Sequence, residues 1–217
     1  MRNYDLAKTE FIVENLSGFL NGKILDLGCN EGILAEKMNL DKINYVGVDI
    51  DNSALYELTK KGFNSREVDL SKGILPFEEN EFNSFLCLDI LEHLQDPIRI
   101  IKELKRVTKY NGKGIISLPN DLNLTNILKV LFTSRSIVTR DTLWSSIGHL
   151  HFASVKESVK LISKNFKILE VFYLPSKYTI PILPNRIKLY LARFLPKFFA
   201  QNIIFKVLNK ERGNKND

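Results

Sequence analysis

Ile24-Leu25-Asp26-Leu27-Gly28-Cys29-Asn30-Glu31-Gly32 is an apolar run that ends at a carboxylate and opens into a loop bracketed by glycines. Lys23–Leu27 has the length and composition of a buried strand. Gly28, just past it, lets the main chain approach a ligand closely, and Gly32 lets a following helix over residues 31–39 sit against a sheet. Asn30 holds the middle of the turn, where asparagine tolerates the left-handed conformation better than most residues. The spacing D-x-G-x-x-x-G is neither the G-x-G-x-x-G of dinucleotide folds nor a phosphate loop with Gly-Lys-Ser/Thr. A pyrophosphate prefers a helix N-terminus without a carboxylate beside it. Asp26 suits a ligand that carries an amino group.

Outward from this loop, short apolar runs alternate with helical stretches from residue 23 to 118, the signature of a parallel α/β sheet. An amphipathic helix over residues 5–20 leads in. Strands are expected at Tyr45–Asp49, Asn64–Val68, Phe82–Leu88 and Gly114–Leu118. Ser53 opens one intervening helix, which stops near Gly62. Asp96-Pro97 opens another, with Ile98, Ile101, Leu104 and Val107 on one side and the Asn111-Gly112 turn beyond its end. Ser154-Val-Lys-Glu157 is a capping box, and a late strand follows at Phe166–Leu174. This divides the chain into a ligand-binding domain over 1–174, with an acceptor-side insertion at 120–152, and a basic-aromatic, helical C-terminal extension over 175–217.

Asp49 ends the second strand, where an acidic residue accepts ribose hydroxyls in nucleoside-binding α/β folds. Asp69 follows the third strand, placed to accept from an adenine amino group while the Leu70 amide reads a ring nitrogen. One carboxylate at a strand end is ordinarily a solvated cap; three at the carboxyl ends of successive strands point to a nucleoside bearing an amine.

The runs ILDLGCNEG (24–32), YVGVDID (45–51), EVDL (67–70), LPFEENEFNSFLCLDILEHLQDP (75–97) and GKGIISLPN (112–120) together resemble the class I S-adenosylmethionine-dependent methyltransferases, in particular the small-molecule branch related to quinone-biosynthesis enzymes. The resemblance implies a doubly wound, mostly parallel seven-stranded sheet of the Rossmann-like methyltransferase type, with S-adenosyl-L-methionine lying across its first three strands. Asp26 would bind the methionine amine and the Gly28–Cys29 main chain would line the methionine portion. Asp49 would take the ribose, Ile50 pack on adenine, and Leu88 and Asp89 face the sulfonium end. Asn30 and Gly32 complete the cofactor loop.

For the acceptor, His149 is the candidate base and His151 its reserve, both just before the capped helix; Trp144 and Phe152 are candidates for an apolar wall. His93 is read as bracing the loop. Asp89-x-x-Glu92-His93 is similar to the E-x-x-E-H run of quinone-biosynthesis O-methyltransferases, where a divalent metal has been implicated, but Asp replaces the first Glu and no metal is expected. Cys29 and Cys87 lack metal-ligand spacing and are read as reduced thiols.

From residue 150 onward there are thirteen Lys and Arg against four Asp and Glu, whereas residues 1–149 hold eighteen against twenty-one. An anionic partner would therefore meet the C-terminal third. Interleaved Arg186, Lys188, Arg193 and Lys197 with Ile187, Tyr190, Leu191 and Phe194 suit peripheral membrane contact through 185–210. The polar start Met1-Arg2-Asn3-Tyr4-Asp5 and the lack of a long apolar span predict a cytoplasmic protein, peripheral at most at the inner membrane surface. The expected activity is methyl transfer to a small-molecule, lipid- or sugar-type acceptor, at oxygen. RNA or protein methylation and a catalytically silent S-adenosylmethionine-binding partner subunit stay open. Nucleic acid is disfavoured: there is no Asn/Asp-Pro-Pro-Tyr/Phe motif, and Ser117-Leu-Pro-Asn120 stands in the wrong place for one.

Overall fold

The computed structural model describes residues 3–134, 149–175 and 183–210. In chain order the elements are α1 (Asn3–Leu16), β1 (Ile24–Leu27), α2 (Ile33–Lys37), β2 (Tyr45–Asp49), α3 (Asn52–Lys60), β3 (Asn64–Glu67), β4 (Phe82–Leu88), α4 (Pro97–Val107), β5 (Thr108–Pro119), α5 (Leu124–Thr133), α6 (Val155–Asn165), β6 (Phe166–Pro175), α7 (Asn185–Phe194), α8 (Pro196–Phe199) and β7 (Ala200–Asn209). Seven strands form one sheet in the order β3-β2-β1-β4-β5-β7-β6. The first five are parallel, and β7 runs antiparallel between β5 and β6. The expected doubly wound sheet is present.

The apolar strands form because they are buried on both faces: β1 is buried along its whole length, and Phe85, Leu86 and Cys87 of β4 are inaccessible. One core layer packs α4 and α6 against the sheet through Ile101, Leu104 and Ile162. The other gathers Ile12 and Leu16 of α1 with Ala35, Tyr45 and Leu58. Both cysteines are free and buried.

Local readings needed adjustment where side-chain direction decides. Asp51, not Ser53, caps α3, its carboxylate accepting from the Ser53 and Ala54 amides. On α4 the buried face is Ile100, Ile101, Leu104 and Val107, and Ile98 is exposed. The Asn111-Gly112 turn is an irregularity inside a longer β5: Thr108 pairs with Phe82 and Lys113 with Ser84, with Asn111 at φ 57° between them.

The largest correction concerns the segment 175–217. Residues 185–199 are helical, as expected, but Ala200–Asn209 is an interior strand, with Ile203, Ile204, Phe205 and Val207 fully buried. Within the described residues, Ala200–Asn209 thus belongs to the sheet rather than to a helical extension. Its apolar residues alternate with Lys206 and Asn209 poorly, because both faces of β7 are covered and period-two patterning is lost.

Candidate functional site

The carboxyl ends of β1, β2 and β4 converge on the loop that follows β1. Gly28 and Gly32 have φ of 69° and 70°, and Asn30 has φ 48°, so the turn is left-handed at all three positions. A Cβ on Gly28 would strike the Ile90 side chain, and one on Gly32 would strike Leu58 of α3, so glycine at the start of α2 permits a close approach to the neighbouring helix rather than to the sheet.

Every amide of this loop is satisfied within the protein. Gly28 and Cys29 donate to the Val48 carbonyl at 2.8 and 3.1 Å, Gly32 to the Cys29 carbonyl at 3.0 Å, Asn30 to Asp49 Oδ2 at 2.9 Å, and Glu31 to Asn30 Oδ1 at 2.7 Å. No nest of free N–H groups is left to cradle a phosphate. What the loop presents instead is carboxylate. Asp26 is buried and accepts from the Tyr45 hydroxyl at 2.7 Å. Burial, opposed by that hydrogen bond and reinforced by the Asp49 charge, raises Asp26 to about 7. A desolvated acid in this state gains most from a cation placed beside it.

Asp49 is held by three amides, Asn30 on Oδ2 and Ile50 and Asp51 on Oδ1, at 2.8 to 3.1 Å. This fixes its carboxylate at the strand end with acceptor capacity to spare for hydroxyls. Ile50 is 62% exposed, an apolar side chain open to a ring. Asp69 caps the turn Leu70–Lys72: Oδ1 accepts from the Ser71 amide and hydroxyl at 3.0 and 2.6 Å, which lowers its pKa. Its Oδ2 lies 3.9 Å from Lys72. Leu70 and Leu88 are half-buried at the same edge. These residues fit S-adenosylmethionine on the chemistry of the donor set: an acid for its amine, a fixed carboxylate for its ribose, and no anion nest.

Asp89 has φ 53°, in the left-handed region. It accepts from Ser117 Oγ at 2.5 Å and forms an ion pair with Lys8 of α1. The sequence did not single out Lys8, Ser117 or Tyr45, because only the fold brings them to the loop.

Residues 149–153 dock on Glu92, whose carbonyl accepts from the Leu150 and His151 amides at 2.8 and 3.2 Å. His149 Nδ1 lies 3.2 Å from Oδ1 of buried Asp121, and this hydrogen bond raises the histidine pKa against an opposing desolvation. The His93 ring meets His149 edge-on at 4.9 Å. His151 Nε2 bonds the Leu94 carbonyl at 2.8 Å. A cavity of about 580 Å³ opens here, lined by Leu91, Glu92, Leu118, Pro119, His151 and Phe152 among others. Trp144 lies outside the described residues. Asp121 was missed in the sequence; its only signal is its place two residues beyond Pro119 at a strand end.

Glu92, His93 and His149 offer ligand atoms within 4.8 Å of one another. Among the described residues, buried Glu92 Oε2 and Asp121 Oδ2 have no hydrogen-bond partner, and burial raises Glu92 to about 7. This group fits a divalent cation better than the sequence suggested, with His149 taking the place that Asp89 vacates.

Fold and loop together define the class: this is the Rossmann-like fold of the S-adenosylmethionine-dependent methyltransferases. Solved structures agree. A SAM-dependent methyltransferase of Thermotoga maritima aligns with TM-score 0.65 at 16% identity, covering 95% of this chain and 90% of that one. One of Archaeoglobus fulgidus aligns with TM-score 0.59 at 18% identity, covering 96% and 100%. The family profile described as "Methionine biosynthesis protein MetW" matches residues 10–207, and the chain belongs to that family. Over 130 residues it is also 29% identical to the ubiquinone biosynthesis O-methyltransferase of Aliivibrio fischeri, covering 58% of this chain and 54% of that enzyme. The chain thus spans about half the length of the curated relatives it matches. Among the described residues no helix is long and apolar enough to cross a membrane.

Proposed function

We propose that this protein transfers a methyl group from S-adenosylmethionine to an oxygen of a small-molecule, lipid- or sugar-type acceptor. The observation that carries the reading is the loop at 28–32, whose amides are all spent internally while Asp26 and Asp49 stand beside it as acceptors. Asp26 would hold the methionine amine, Asp49 the ribose hydroxyls, Ile50 the adenine face, and Asp69 Oδ2 the adenine amino group. S-adenosylmethionine supplies an electrophilic methyl carbon. The protein's part is then to align the acceptor oxygen, exclude water and remove a proton.

His149 is the candidate base. Asp121 orients its ring through Nδ1, leaving Nε2 to take the acceptor proton, as a carboxylate orients histidine elsewhere. His151 is engaged with a loop carbonyl and is read as shaping the cavity wall with Phe152. The unpartnered Glu92 Oε2 favours a second arrangement. There Glu92, His93 and His149 hold a divalent cation, which would lower the pKa of an acceptor hydroxyl. The O-methyltransferase name of the Aliivibrio fischeri relative supports oxygen as the methylated atom.

The family description, which names methionine biosynthesis, favours one alternative: a chain that binds S-adenosylmethionine as a partner subunit without turning it over. Calorimetry with S-adenosylmethionine and S-adenosylhomocysteine tests binding, and release of S-adenosylhomocysteine in the presence of candidate hydroxylated acceptors tests turnover. Binding of neither compound to folded protein would remove the proposal; binding without release would favour the partner subunit.

A further inference from the structure

Two helices, α5 and α7, present apolar side chains outward. α5 has the sequence LTNILKVLFT, yet none of its residues is buried; Leu131 and Phe132 are 69% and 77% exposed. α7 is inverted relative to an ordinary amphipathic helix. Lys188 and Ala192 face the protein, while Ile187, Tyr190 and Phe194 face away, the last two rings tilted by 38° with centroids 4.3 Å apart. α8 packs against both α5 and α7. Its position is held by Asn120, whose side-chain amide donates to the carbonyls of Pro196, Lys197 and Ala200 at 3.4, 3.3 and 2.8 Å. Scattered apolar side chains on a surface are ordinary, but a run of them on adjoining helices marks a contact surface.

Charge selects the occupant. The cations of residues 124–133 and 185–199 that reach the surface are Lys129, Arg186, Arg193 and Lys197, whereas Lys188 is buried, and neither stretch contains an acidic residue. A second copy meeting this face about a twofold axis would set these cations against themselves. An anionic surface would not. Basic and aromatic residues interleaved along a helix, as Arg186, Tyr190, Arg193 and Phe194 are, suit an interfacial layer in which rings and aliphatic chains sit below the headgroups. The face also stands at the edge of the sheet that carries the site. α5 follows the end of β5, and α8 leads into β7, where Pro119 pairs with Asn202.

We infer that the α5–α7–α8 face docks on an anionic membrane surface, with Arg186, Arg193 and Lys197 at the headgroups and Leu131, Phe132, Tyr190 and Phe194 in the interfacial layer. This replaces the span 185–210 expected from sequence, since 200–209 is interior. The inference goes beyond the proposed reaction and is measured apart from it, because vesicle binding requires neither S-adenosylmethionine nor turnover.

The test is flotation of the full chain with phosphatidylcholine vesicles, with and without phosphatidylglycerol. The protein is expected to float with the anionic vesicles, to stay behind with pure phosphatidylcholine, and to be released by high salt. Leu131→Ser with Phe132→Ser, and separately Arg186→Glu with Arg193→Glu, should each cut the floated fraction at least about tenfold. Their melting temperatures should be unchanged, because all four side chains are exposed. Failure to float with anionic vesicles overturns the inference, as does flotation that survives both double substitutions. A dimer in light scattering that Leu131→Ser with Phe132→Ser dissociates would give the face to a second copy instead. A monomer that captures an acidic protein but no vesicle would give it to a protein partner, and either result sinks the membrane assignment.

Discussion

Tyr45, at the start of β2, donates its hydroxyl hydrogen to the Asp26 carboxylate across 2.7 Å in the buried layer beside β1. The phenol's hydrogen bond favours the ionised acid; burial and the Asp49 charge both oppose it, and the outcome is an acid raised from 3.8 to about 7.

That balance has a direction with pH. Between about 4 and 7 the folded chain keeps a proton on Asp26 that the unfolded chain has released, so this group's contribution to stability falls as pH rises through the window and levels off above it. Binding of an amine at Asp26 needs the ionised form. Affinity for S-adenosylmethionine should therefore climb by up to about tenfold per pH unit toward pH 7, then flatten. Asp26→Asn should abolish this slope, weaken binding by roughly 10–100-fold, and raise the stability of the ligand-free protein at neutral pH by roughly 1–3 kcal/mol. Calorimetry and thermal melts across pH read both effects; an unchanged slope in Asp26→Asn would separate the amine from this residue.

Asp49 ties down the Asn30, Ile50 and Asp51 amides. Asp49→Ala should loosen the cofactor loop at a cost of roughly 1–3 kcal/mol and weaken binding of S-adenosylmethionine more than tenfold, about the value of a lost charge-assisted hydrogen bond. Denaturant melts and calorimetry check the pair. A variant that melts lower yet binds normally would place the ribose elsewhere.

If His149 is the base, His149→Ala and Asp121→Asn should both slow turnover, the first by roughly 10²–10⁴-fold and the second by less, with S-adenosylmethionine affinity intact. His151→Ala should alter the apparent acceptor KM more than kcat, because its ring is occupied with the Leu94 carbonyl. Turnover by this route is insensitive to chelators. Activity lost to EDTA, restored by Mg²⁺ or Mn²⁺, and abolished in Glu92→Gln would transfer the role to a cation held by Glu92, His93 and His149.

Lys8 anchors α1 to Asp89 at the end of β4, with Ser117 on the other carboxylate oxygen. Lys8→Met keeps the buried stem but leaves the partly buried Asp89 carboxylate without its cation. It should destabilise the protein by roughly 1–3 kcal/mol and speed amide exchange in α1. Adding Asp89→Asn should recover part of the loss, the signature of a direct pair in a double-mutant cycle. Strict additivity would mean that Lys8 acts through packing alone.

The primary structure by itself determined the five parallel strands, the left-handed turn at Asn30 and the carboxylates at strand ends, because each is written in contiguous residues: an apolar run, a glycine, an acid at the boundary. It also marked two local pairs, Glu92 with His93 and His149 with His151, though not that the pairs would meet. Tertiary structure alone decided that Asp121 faces His149, that Asp89 turns to Ser117 and Lys8, and that Tyr45 supports Asp26, since these partners lie 19 to 81 residues apart. It decided the fate of the C-terminal segment too. Ala200–Asn209 follows a basic-aromatic helical stretch and lacks alternation, so its apolar run Ile203–Leu208 does not by itself distinguish a buried strand from more helix. It becomes one because the exposed edges of β5 and β6 leave backbone donors and acceptors that only an inserted antiparallel strand can satisfy.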